Sequence, residues 1–109
     1  MEEGARLIKL WIDDVRPAPN KEYFWAQSVN EAKDMIKYYI DYWDNAILID
    51  LDHDAGAEVT DGGDYIKLLD WLEANNIVNE KFTFHIHSMN VVGAQNMRAI
   101  IQKNGWREV

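Results

Sequence analysis

Three short stretches hold most of the residues that can do chemistry. Asp13-Asp14 follows an apolar run at 7–12, and Asp50-Leu51-Asp52-His53-Asp54 follows another at 46–49. His87-Ser88-Met89-Asn90 comes at the end of an apolar and aromatic run that starts near 81. Carboxylates brought together repel one another, so at neutral pH they need a cation, a shared proton or a hydrogen-bond network. Hard oxygen donors select Mg²⁺, Mn²⁺ or Ca²⁺. Asp13, Asp14 and Asp52, with Asp54 beside them, form a set of that kind. His53 and His87 move the choice toward Mn²⁺ or Zn²⁺, and the oxygen-rich balance favours Mg²⁺ or Mn²⁺ over Zn²⁺. The plainer alternative is that Asp13 and Asp54 cap neighbouring turns and coordinate nothing.

His87 titrates near neutrality and is the leading acid/base candidate, with His53 beside Asp52 as a second. The competing reading makes His87 a core histidine bonded to a carboxylate. His85, two residues earlier on the same strand face, reads as structural. Ser88, Asn90 and the amides from Val91 to Gly93 describe an anion site at a helix start, with Gly93 allowing close approach. Arg16 and Arg98 can add positive charge for a phosphate, although Arg98 lies two turns into its helix. Trp11 and Trp43 sit at core spacing; Trp25 and Trp71 are open to a base-stacking role.

The elements that must position these residues alternate. Strands are expected at 7–12, 23–27, 46–49 and 81–88, with a short one at 106–109. Helices are expected over about 29–43, where Ser28 and Glu31 form a capping box, over 64–75, and from Val91 behind the cap Asn90, ending at Gly105. Arg16-Pro17-Ala18-Pro19-Asn20 is loop chemistry. Alternating strands and helices imply an open parallel sheet, and such sheets bind ligands outside the carboxyl ends of their strands. All three reactive stretches fall there.

Composition limits the rest. A chain of 109 residues without cysteine makes one domain with no disulfide and no thiolate metal site. A net charge of −8 disfavours bulk DNA binding. No apolar run approaches the roughly 20 residues of a membrane span. The acidic start Met1-Glu2-Glu3 argues against a signal peptide, so the expected location is the cytoplasm.

These blocks resemble the response-regulator receiver domain, which has an acid pair after its first strand, a phosphate-accepting Asp after its third and a hydroxyl residue after its fourth. Asp13-Asp14, Asp52 and Ser88 stand in matching places, with Asp50 as a competing acceptor. The chain is more closely similar to cyclic-phosphate-processing receiver domains. The matching blocks are Leu10-Trp11-Ile12-Asp13-Asp14-Val15-Arg16-Pro17, Leu51-Asp52-His53-Asp54-Ala55-Gly56 and His87-Ser88-Met89-Asn90-Val91-Val92-Gly93, then Asn96-Met97-Arg98, with Gly63-Asp64-Tyr65 and Trp71-Leu72 between them.

The resemblance implies a three-layer, flavodoxin-like α/β domain with strand order 2-1-3-4-5 and helices on both faces. It implies a metal-dependent phosphodiesterase or phosphatase that processes cyclic phosphates or nucleotide and RNA ends. A non-catalytic nucleotide- or protein-binding module and a degenerate phosphorelay receiver are the alternatives. Two departures count against phosphorelay. The Lys that ends the fifth receiver strand has no counterpart up to Val109, since Lys103 lies in the preceding helix. The first receiver helix is replaced by the Pro-containing loop at 16–20.

Overall fold

The computed structural model describes residues 6–42 and 45–109. Strands β1 (Arg6–Ile12), β2 (Tyr23–Ala26), β3 (Asn45–Leu51), β4 (Phe82–Ile86) and β5 (Arg107–Glu108) are all parallel, in the order β2-β1-β3-β4-β5. Helices α1 (Val29–Tyr42), α2 (Ile66–Ala74) and α3 (Val91–Lys103) join the later strands, and a 3-10 turn covers Gly56–Thr60. The class is receiver-like α/β, and the strand order is the one the resemblance implied. No helix among the described residues is long and apolar enough to cross a membrane.

Local signals explain the boundaries. The Glu31 amide donates to Ser28 Oγ, while the Glu31 carboxylate accepts from the Gln27 amide, one residue earlier than an ideal capping box. Asn90 accepts from the Gly93 amide and starts α3. Gly105, at φ +69°, follows the end of α3. Trp43, expected as the last core position of α1, lies outside the described residues, as do Met1 to Glu3.

The layering differs from helices on both faces. Ile8, Leu10 and Ile12 are in register with Ile47, Ile49 and Leu51, and these with Phe82, Phe84 and Ile86. All nine join one buried core with Val29, Ala32 and Ile36 from α1, Leu68, Leu69 and Leu72 from α2, and Ala94, Met97 and Ile101 from α3. All three helices therefore cover the same face. The cause is topological. The crossovers β2→β3, β3→β4 and β4→β5 all step the same way across the sheet, and right-handed crossovers then share a side. Only β1→β2 steps back, and its 13–22 segment carries Pro17 and Pro19 and forms no helix. Among the described residues no helix covers the second face, and Leu7 on it is 52% exposed.

Candidate functional site

The sheet ladder runs one residue past each central strand. The Asp13 amide donates to the Ala26 carbonyl, Asp52 to Ile12 and His87 to Leu51. Asp13, Asp52 and His87 are thereby fixed side by side at the carboxyl edge. Carboxylate oxygens of Asp13, Asp14 and Asp52 all lie within 4.8 Å of one another. The Asp14 carboxylate rests against Gly56, at φ +56°; a Cβ there would collide with it, so the turn needs glycine for both conformation and space. Tyr65 is fully buried and donates its hydroxyl to the Gln27 carbonyl. Burial, and then the charges of Asp14, Asp13 and Asp52, push its phenol well up, so it stays neutral.

Asp13 is 0% exposed and fully engaged. Its Oδ1 accepts from the Val15 and Arg16 amides, as in a capped turn, and its Oδ2 lies 3.0 Å from His87 Nε2. Burial alone would raise the carboxyl, but the hydrogen bonds from the Arg16 amide, His87 and the Val15 amide outweigh it and hold it low. The other nitrogen of His87, Nδ1, lies 2.7 Å from Asp50 Oδ1, which also meets His85 Nδ1 at 2.9 Å. Burial would depress His87, yet the bonds to Asp50 and Asp13 prevail and raise it. His87 thus bridges two buried carboxylates with a side chain only 9% exposed, and both its nitrogens are engaged. Asp50, the competing acceptor, sits inside β3 as the partner of two histidines. Asp52 stands at the open edge with Asp13 and Asp14.

A second group adjoins the first. His53 Nδ1 lies 2.8 Å from Asp54 Oδ1, and Asn90 Nδ2 approaches both at 3.4–3.5 Å. The His53 ring lies across Gly93, where a Cβ would come within 2.5 Å of it. Ligand atoms of His53, Asp54 and Asp64 also fall within 4.8 Å of one another. Asp64 was not singled out by sequence reasoning as a site residue. Its signal was the Gly63-Asp64-Tyr65 block, and its carboxylate accepts from the Ala55 amide to close the loop. Ser88 Oγ accepts from the Asn90 amide and braces the α3 start.

Of the two arginines expected at the phosphate, Arg16 reaches the edge, where its guanidinium lies 3.4 Å from the His87 carbonyl. Arg98 does not join it. It pairs with Glu108, which is in register with Phe84, three residues short of His87. The α3 segment runs away from the edge, which carries Arg98 with it. Lys103 pairs with Glu73 at the far end of the same helix. Trp71 lies under Lys33 and Lys37 on the helical side, whereas Trp25 is at the site and donates Nε1 to the Asp13 carbonyl at 2.7 Å.

No curated protein and no solved structure matches the chain. A model of the family described as the cyclic-phosphate processing receiver domain matches residues 8–103, which span all three helices, β1 from Ile8, all of β2 to β4 and every acid of the edge. With that match joined to the parallel 2-1-3-4-5 sheet and its acidic edge, the chain belongs to the cyclic-phosphate processing receiver domain family.

Proposed function

We propose that this domain is a metal-assisted phosphoesterase acting on cyclic phosphates or on nucleotide and RNA phosphate ends. The observation that carries this reading is the convergence of Asp13, Asp14 and Asp52 within 4.8 Å at the carboxyl edge of the sheet. The donors are all carboxylate oxygens, two of them on half-buried residues open to the edge, which suits Mg²⁺ or Mn²⁺. Asp14 and Asp52 would hold the ion, with Asp13 alongside. A divalent cation in such a site supplies charge neutralisation at phosphate and a more acidic bound water.

The chain's own residues do the rest. Arg16 and the leading amides of α3 orient the phosphate, and Asn90 holds that helix start in place. His53, between Asp54 and Gly93, is the residue placed to move a proton at the ester oxygen. His87 acts by fixing Asp13, since both its nitrogens are engaged.

The test is incubation with 2′,3′-cyclic nucleotides and Mg²⁺ or Mn²⁺. Hydrolysis that Asp52→Asn abolishes supports the reading. No hydrolysis, together with unaltered ligand binding by Asp52→Asn, overturns it. One observation favours a second reading, a nucleotide-binding module without turnover: His87 presents no open nitrogen. That reading expects thermal stabilisation by nucleotide and cation with no product.

A further inference from the structure

The helix-free face is unusual for a parallel sheet, whose two faces are ordinarily both covered. Register gives its composition row by row. One row across the sheet reads Tyr23, Lys9, Leu48, Thr83 and Arg107; the next, toward the edge, reads Trp25, Trp11, Asp50 and His85. Trp25 is 38% exposed and the His85 side chain 45% exposed. The acids that the described residues place on this face, Asp13 and Asp50, are buried; in the two rows Lys9 is neutralised by Glu22 at the margin and Arg107 is exposed. In a chain of net charge −8, these two rows expose no unpaired carboxylate to an anionic backbone.

We propose that the helix-free face binds the base-bearing portion of a single-stranded oligonucleotide whose phosphate end enters the Asp13–Asp14–Asp52 pocket, with Trp25 as the first stacking platform. This rests on the phosphoesterase reading and names the substrate class of the same site. Outward aromatic side chains on an open sheet are the means by which sheet surfaces hold single strands, because every base has a stacking face. The Trp25 indole is tied to the Asp13 backbone, so a base on it lies within one nucleotide's reach of the pocket. A helix docking here would want a continuous aliphatic stripe, and the Leu48 row is interrupted by Lys9 and Thr83. The few cations make the binding stacking-led, with a shallow dependence on salt.

The experiment is fluorescence anisotropy with a labelled single-stranded oligoribonucleotide of about ten residues ending in a 2′,3′-cyclic phosphate, with an abasic strand of the same length as comparison. The base-bearing strand is expected to bind more tightly than the abasic one. Trp25→Ala should weaken it about ten-fold or more, and Trp25→Phe should restore most of the loss while keeping the wild-type circular dichroism. Equal binding of both strands, or wild-type affinity in Trp25→Ala, overturns the proposal. So does a dimer in sedimentation that shields Trp25, since a second copy would then cover the face. Mn²⁺ titration separates the two readings. Normal Mn²⁺ binding with no effect of Trp25→Ala removes only this inference, whereas Trp25-dependent binding without turnover removes only the phosphoesterase.

Discussion

The imidazole of His87 lies flat on the indole of Trp11, with ring centroids 3.8 Å apart and parallel planes, while its two nitrogens reach Asp50 and Asp13. Trp11 is buried although it stands on the helix-free face, because the 13–22 loop folds over it and the Arg16 carbonyl accepts its Nε1 hydrogen. An imidazole stacked on an indole is favourable beyond area burial. Trp11→Leu loses the stack and the loop bond together. It is expected to destabilise the fold by about 2 kcal/mol in urea unfolding, and an unchanged midpoint would show that the stack contributes nothing.

The bridge also sets a pH window. His87 is raised above its ordinary 6.5, so its contribution is full below that value and is lost as pH rises through the folded value. Asp13 is lowered from 3.8, so its contribution is present above that value and is lost as pH falls through the folded one. Melting in EDTA should therefore be highest between about pH 4 and 6.5 and fall on both sides. His87→Gln should flatten the alkaline limb. A wild-type alkaline limb in that variant would place the titration elsewhere.

Cation binding should depend on the open acids. Isothermal titration with Mn²⁺ is expected to show a loss of at least about ten-fold in Asp14→Asn and in Asp52→Asn. Asp70→Asn, on the exposed side of α2, should match wild type. Equal affinity in all four proteins would mean that the carboxylates are held by hydrogen bonds alone.

Gly93→Ala reverses a familiar sign. In a helix interior, Ala is ordinarily favoured over Gly by about 0.5–1 kcal/mol. Here the new methyl meets the His53 ring at 2.5 Å, so the expected outcome is destabilisation of about 1–3 kcal/mol. Loss of turnover should exceed the loss of folded protein. A stabilised variant with full activity would show that His53 moves aside at no cost.

Some of this was legible in the residues and some was not. Ser28 and Asn90 mark their helices through bonds made within four residues, so the starts of α1 and α3 could be read locally. The meeting of Asp13, Asp14 and Asp52 followed from parallel strands ending together. The one-sided helix layer needed crossover direction as well as the prolines at 17 and 19. Arg98 was placed with the phosphate by motif, but its helix carries it toward Glu108. Asp64 and the bridging role of Asp50 depend on contacts spanning 9 and 37 residues of chain, which no local pattern reports.

The proline loop has a consequence for how the chain folds. Joining β1 to β2 closes a segment of ten residues, 13–22, whereas joining β3 to β4 closes thirty, 52–81. Loop-closure entropy separates the two by about 1 kcal/mol. By loop closure the β1–β2 pair is thus the least costly parallel contact to make, and it unites Trp11, Trp25 and Asp13. On loop-closure entropy alone, the end of the sheet that carries the acid pair is therefore the part favoured to form first.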